Sequence, residues 1–399
     1  MAISQLSLGK RWGFLGLATL AQVSVAMIRV GITTLVPFIK QDLLLSHVQV
    51  GLMSSFLNGG AGAAGIPAGR LVDRVGARLI LGYGTVGCGV LVLGIYAITG
   101  YKALLVFLCL IGFTSTTLVP AGGKVVASWF SKNERGMAMG VRQTAVPLGG
   151  AAAALVLPWL AMDRGWRFAL ILTAIASIAT GLLAFRYYQE PQMEGTGSPQ
   201  FQPAPIPSIF KRRGIPPLLL YCCFLSAGQW TYLAYLMLFL TESLHFPIIM
   251  AANLFAAAQT CGALGRVMWG VLSDRLFHGK RRPALALVGL TAAATSVSCV
   301  LISAQTPLWL VALVAALLGL SLQGWNGLTH TLASELAGTE MAGLAVGVTN
   351  SCGFLGVMTL TPTVGFLIDW TGTFAVGWLS VAVLIGVAVL MLVWIKEEN

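Results

Sequence analysis

From Trp12 to Phe38 the chain carries one charged side chain, Arg29, and apolar stretches of this kind recur to its end. A membrane-crossing helix needs about 20 mainly apolar residues. In lipid, only helices and closed barrels satisfy every backbone hydrogen bond internally. The runs here are long and unbroken rather than short and alternating, which points away from a barrel. With 57% of residues hydrophobic and only 9% charged, the chain has too little charge to cover a soluble domain of 399 residues. The expectation is an all-α membrane protein with twelve transmembrane helices in two pseudo-symmetric six-helix halves. The spans fall at 12–38, 48–68, 79–98, 103–129, 137–160, 167–187, 215–240, 248–271, 284–304, 307–333, 342–366 and 374–395. The first apolar run is too long for a signal peptide and reads as a retained helix.

The domains follow as an N-terminal half, 1–187, a linker, 188–214, and a C-terminal half, 215–399. The linker holds Pro191, Pro199, Pro203, Pro205 and Pro207 and reads as a flexible connection. The net charge of +11 does not signal nucleic acid, because the basic residues are dispersed among short loops. If the N-terminus is cytoplasmic, one side gathers Lys10, Arg11, Arg70, Arg74, Arg78, Lys132, Arg135, Arg186, Lys211 to Arg213, Arg275, Lys280 to Arg282 and Lys396. The other gathers only Lys40, Lys102, Arg164 and Arg167. The positive-inside rule then puts both termini in the cytoplasm, in a plasma (inner) membrane. The seven cysteines are odd in number and fall in predicted helices without metal spacing, so no disulfide framework or metal site is expected. No cofactor is expected either.

Two stretches repeat. Gly69-Arg70-Leu71-Val72-Asp73-Arg74-Val75-Gly76-Ala77-Arg78 has a shorter copy in Gly270 to Arg275, about half the chain later. Gly136 to Gln143 matches Gly343 to Asn350 at nearly the same offset, so span five corresponds to span eleven. Gly69, Leu71, Asp73, Arg74, Gly76 and Arg78, between spans two and three of twelve, resemble the signature loop of the major facilitator superfamily. Trp129-Phe130 through Arg135-Gly136, and Gly265-Arg266 through Asp274-Arg275, resemble further patterns of that family. The resemblance covers essentially the whole chain. It implies a central cavity and alternating access by rocking of the halves. It also implies that Gly69, Asp73, Arg74 and Arg78, with Asp274 and Arg275, form a cytoplasmic latch, Asp73 holding the outward-facing state. The alternative for this loop is a solvated turn that only sets orientation.

Every acid sits in a loop or at a span end. The basic residues read inside spans are Arg29, Lys124 and Arg142. An ionisable group within the membrane marks function by default. Arg29 lies about 25 Å along its helix at 1.5 Å per residue, and Gln22 and Thr33 share its face. Lys124 shares a face with Thr117, Pro120 and Ser128, with snorkelling as the alternative. Arg142 and Gln143 open span five, where a lipid-phosphate contact or a brace for the signature loop competes with substrate binding. Gln323, Asn326, His330 and Ser334 form a polar face of span ten. Gln229 and Tyr232 in span seven and Asn350 in span eleven add neutral polar groups, with helix–helix hydrogen bonding as the alternative. The substrate-site candidates are therefore Arg29, Lys124, Arg142, Gln143, Gln229, Tyr232, Asn326, His330 and Asn350. His330 is also the candidate for proton coupling.

Buried positive charge without a buried acid favours an anionic cargo. The expected partners are a small organic anion, most simply a mono- or dicarboxylate, a co-transported proton, and membrane lipid, with a monomer sufficient. Arg29 followed by Asp42-Leu43 and Ser46 resembles the organic-anion branches of the superfamily. Ile28 stands where some of those carry an acid, which leaves uniport, exchange and proton symport open. Cation or drug efflux would need a mid-membrane acid, and a sugar facilitator leaves Arg29 unexplained. A membrane enzyme or receptor lacks a catalytic motif or signalling domain here.

Overall fold

The computed structural model describes residues 8–131, 134–190, 209–338, 341–395 and 397. Most of the proline-rich linker, together with Lys132, Lys396 and Glu340, lies outside the described residues. The helices are α1 (Leu8–Thr34), α2 (Val36–Asp42), α3 (His47–Val75), α4 (Ala77–Tyr96), α5 (Tyr101–Thr116), α6 (Leu118–Trp129), α7 (Arg135–Gln143), α8 (Ala145–Arg164) and α9 (Trp166–Tyr187). After the linker come α10 (Ile215–Leu238), a π turn (Phe239–Ser243), α11 (Ile248–Arg275), α12 (Arg281–Leu301), α13 (Leu308–Leu322), α14 (Asn326–Ala337), α15 (Ala342–Thr371) and α16 (Phe374–Met391). By length and composition, eleven stretches of the described chain suit a membrane crossing. The twelfth position is filled by α3, equally long, whose glycine-, serine- and alanine-rich sequence packs on α5 and α15 instead of facing lipid. The molecule is a multi-pass integral membrane protein. Its outer surface is apolar, with Leu264, Leu290, Phe366 and Val383 exposed, and Trp159, Trp309, Trp370 and Trp394 exposed toward the helix ends.

Several spans are jointed, and proline explains three of the joints. Proline lacks an N–H and displaces the carbonyl four residues before it. The α1/α2 break at Leu35 precedes Pro37, the α5/α6 break at Thr117 precedes Pro120, and the α7/α8 break at Thr144 precedes Pro147. The α13/α14 break, from Gln323 to Trp325, has no proline and matches α5/α6 in the repeat.

Each half is zipped by glycine. A Cβ on Gly60 would overlap the Cys109 carbonyl, and one on Gly112 the Leu57 carbonyl, so α3 and α5 touch backbone to backbone. Gly265 against Leu320 and Gly319 against Ala258 make the same seam between α11 and α13. Small residues allow such close approach where lipid gives no hydrophobic drive.

The repeat also reaches the side carrying the chain termini. Glu190 accepts from the N–H of Arg78 at the start of α4, and Glu397 accepts from Arg281 and Arg282 at the start of α12. A carboxylate at each helix N-terminus meets unpaired N–H groups and the positive end of the dipole. On the opposite, far side, Arg167 donates to Asp42 at 2.6 Å and Trp166 at 3.1 Å. These bonds hold the Asp42 carboxyl below the usual carboxylate range, Arg167 first and Trp166 next. A depressed folded value adds stability above the unfolded value, near about 3.9, that is lost as pH falls. Asp42→Asn is therefore expected to melt lower than the parent at pH 7, with the difference shrinking as the pH falls below the unfolded value of about 3.9. Thermal melts across that range check this; a deficit that does not change with pH would contradict it.

Candidate functional site

Arg29 lies in the last third of α1, where the halves meet. Its Nη2 donates to Asn58 Oδ1 of α3 at 3.1 Å, and its guanidinium lies 5.2 Å from the ring of Trp230 in α10. Asn58 is fully buried, and its amide nitrogen is held by the Ser54 carbonyl, which turns its oxygen toward Arg29. Trp230 packs against the cores of both halves. Arg29 is thus held across the interface by a neutral amide and a π face, and its buried Nε has no partner among the described residues.

A polar track runs from Trp230 toward the termini side. Gln229 accepts from Asn326 at 3.4 Å, and one helical turn farther along α14 the His330 Nε2 lies 3.1 Å from Asn350 Oδ1 of α15. Arg29, Gln229, Trp230, Asn326 and His330 are half-buried and Asn350 is exposed, as expected for side chains on an opening inside the bundle.

The opening faces one way. Gly51, Gly59 and Gly62 of α3 meet Pro362, Met358 and Phe354 of α15. One to three turns on, Cβ positions on Gly65, Gly69, Gly343 and Gly347 would meet nothing within 4 Å. The halves are closed on the far side and apart on the termini side.

The remaining candidates are placed differently. The Arg142 side chain is buried, and its Nη2 donates to Gln22 Oε1 and to the Leu118 and Val119 carbonyls at 2.9–3.0 Å. It clamps the α5/α6 break, and Gly122 leaves the room it needs. Gln22 is accordingly its partner and not part of the Arg29 surroundings. Lys124 Nζ donates to the Val72 carbonyl at 2.9 Å, in the last turn of α3, where a cation suits the helix dipole. Tyr232 is fully buried between Gln259 and Phe255, away from the opening. Gln143 contributes its carbonyl, which Pro147 frees from the helix ladder and which accepts from Arg266 Nη1 at 2.8 Å.

Arg266 is a further basic residue inside a span, nine residues before the charged end of its helix at Arg275. Its Nε also reaches the Gln323 carbonyl at 3.2 Å, so it joins the break in α7/α8 to that in α13/α14 across the halves. Among the described residues none of Arg29, Arg142 and Arg266 makes an ion pair.

The expected latch is not assembled in this state. Asp73 and Arg74 are exposed and unpaired among the described residues, and Gly69 faces open space. Arg78 donates to the Phe185 carbonyl at 2.9 Å and lies over the Phe185 ring. Asp274 pairs with Arg281 of its own half, and Arg275 has no ion-pair partner among the described residues. The physical reason is the separation of the halves on this side.

The sequence profile of the Major Facilitator Superfamily matches residues 18–361. An uncharacterized MFS-type transporter of Mycobacterium tuberculosis is 29% identical over 93% of this chain and 82% of its own length. The probable sulfoacetate transporter SauU of Cupriavidus necator is 27% identical over 92% of this chain and 90% of its own. A crystal structure of a bacterial homolog of the human lysosomal transporter Spinster, inward-facing and occupied, superposes with a TM-score of 0.80 at 15% identity, covering 97% of each chain. A multi-pass helical architecture and a profile match across most of the length lead to one assignment: the chain belongs to the major facilitator superfamily, as a secondary transporter and not an enzyme.

Proposed function

We propose that the chain carries small organic anions, most simply mono- or dicarboxylates, and that Arg29 binds the anionic group. The observation that carries this reading is the Arg29 guanidinium, held at the interface of the halves by Asn58 and Trp230 with no ion-pair partner among the described residues. Taking a charge out of water is costly unless a counter-charge joins it, and a carboxylate fits the planar fork of a guanidinium with two parallel bonds. The polar track of Gln229, Asn326, His330 and Asn350 reads the rest of the molecule, and His330 is the proton-coupling candidate within it. SauU supports the reading, since sulfoacetate carries a carboxylate and a sulfonate. Arg142, Lys124 and Tyr232 serve the scaffold in this proposal, as their contacts favour.

The excess of basic loops on the termini side supports cytoplasmic termini, and in this proposal the described state opens inward. Rocking of 1–187 against 215–399 would bring Asp73, Arg74 and Arg78 toward the second half and form the latch. The test is uptake by purified protein in liposomes, with a panel of labelled carboxylates, sugars and cationic dyes. Saturable uptake of a carboxylate, competed by other carboxylates and not by sugars, is the expected result. Dye or sugar transport with no carboxylate uptake overturns the proposal.

A further inference from the structure

The far side is shut by a cluster that the substrate site does not use. Lys40 of α2 and His47 at the start of α3 come from the first half; Glu242 of the π turn and Asp369 of α15 come from the second. Lys40 Nζ lies 2.7 and 2.8 Å from the two Glu242 oxygens. The His47 ring lies between the two acids, Nδ1 at 2.6 Å from Asp369 and Nε2 at 3.0 Å from Glu242. Asp369 also accepts from the backbone N–H groups of His47 and Val48, at 3.0 and 2.9 Å, and so caps α3 from the other half. Tyr235 of α10 donates to the His47 carbonyl at 2.8 Å. Phe374 of α16 sets its ring edge-on against the imidazole at 5.1 Å. Lys40 Nζ also lies 3.0 Å from His47 Nε2. Among the described residues, Lys40, Glu242 and Asp369 are the charged groups that touch the ring.

A neutral imidazole has one N–H. With the proton on Nδ1, the bond to Asp369 is made, but the Nε2 lone pair faces a Glu242 oxygen and can only accept from Lys40. The cluster then holds one cation and two anions. A protonated ring donates to both acids, and Lys40, now a like charge beside Nε2 that can no longer donate to it, turns wholly to the two Glu242 oxygens, with two cations against two anions. Both acids are on the second half and both cations on the first, so this gain exists only while the far side is shut. The side chain of His47 is 16% exposed and that of Glu242 36%, so water on the far side reaches the cluster.

We infer that His47 is a proton-binding site that locks the far side shut when it is charged. Closing that side takes up a proton, opening it returns the proton to the same side, and nothing is carried across. Linkage then requires acid on the far side to favour the closed state and alkali to release it. This holds whatever the cargo is, and its test needs no substrate, so it stands or falls apart from the anion reading.

The test measures the far-side gap directly. Spin labels are placed at Thr99→Cys and Gln305→Cys, on exposed far-side loops of opposite halves, in a cysteine-free chain in lipid nanodiscs. Electron–electron distance distributions are recorded from about pH 8 to about pH 5.5, the range in which histidine titrates. The ratio of the short to the long distance population is expected to rise on acidification, by up to about tenfold per pH unit for a single linked proton. In His47→Gln the ratio should no longer change with pH. In Glu242→Gln, which keeps the ring, more acid should be needed for the same shift. His245→Asn, at the other far-side histidine, should behave as the parent. An unchanged pH response in His47→Gln overturns the inference, as does a parent whose distances do not respond to pH at all. If His47→Gln does not fold, a Glu242→Gln response identical to the parent overturns it equally.

Discussion

Arg29→Ala is expected to cut carboxylate uptake by about 30-fold to several thousand-fold in kcat/KM. Truncating one partner of a buried, hydrogen-bonded charge pair costs about 2–5 kcal/mol, and 1.4 kcal/mol is a factor of ten. The fork matters as well as the charge. Arg29→Lys keeps a cation but loses the second parallel bond and the flat face over Trp230, so it should fall between Ala and the parent. Lys102→Ala, an exposed cation on the far side, should leave uptake unchanged. Initial rates in liposomes, with melting temperature as the check on folding, decide the matter. Undiminished carboxylate uptake by a folded Arg29→Ala would remove Arg29 from the site, and the anion would have to be bound elsewhere.

Gly112→Val and Gly319→Val are expected to prevent most of the chain from folding. At both positions even a Cβ would overlap a backbone carbonyl, of Leu57 and of Ala258. A flexible side chain could move aside; a helix backbone can do so only by parting the two helices. Inserting extra methylenes into a packed core usually costs about 1–3 kcal/mol, and here the cost falls on the backbone itself. The Ala variants should melt several degrees lower and the Val variants should be lost as aggregate during purification. Gly123→Ala and Gly347→Ala, where the Cβ meets nothing within 4 Å, should match the parent. Size-exclusion profiles and thermal melts read the outcome. Normal melting of both Val variants would mean that the α3/α5 and α11/α13 seams are looser than drawn.

The helices were legible because the membrane demands them: a run such as Trp12 to Phe38 has few other ways to satisfy its backbone. The breaks were not, since a proline shows where a carbonyl is freed but not what will accept it. Nothing near Gln143 in the chain announces Arg266, which lies on the other half. Arg29 stood out as a lone charge in an apolar run. Its neighbours Asn58 and Trp230 did not, because an asparagine and a tryptophan in a span are ordinary until something charged is beside them. Lys124 shows the limit of face arguments. Spacing put it on a polar face, and the end of α3 turned out to be what that face meets. The far-side cluster was hidden for a related reason. Lys40, His47, Glu242 and Asp369 each looked like a residue at a span end, and only the closed far side brings those ends together. Helical spacing singled out Asn326 and His330, and their partners Gln229 and Asn350 are among the neutral polar groups noted in spans seven and eleven.

The break at Thr144 has no counterpart in α15, although Gly136 to Gln143 and Gly343 to Asn350 are copies of one stretch. A jointed helix and an unbroken one of similar length do not carry load alike. A push on the termini-side end of α15 reaches its far-side end, where Asp369 sits. The same push on α7 is taken up at the joint and passed sideways through Arg266 to the second half. The molecule is symmetric as architecture and lopsided as a lever, with one flank that transmits motion and one that gives.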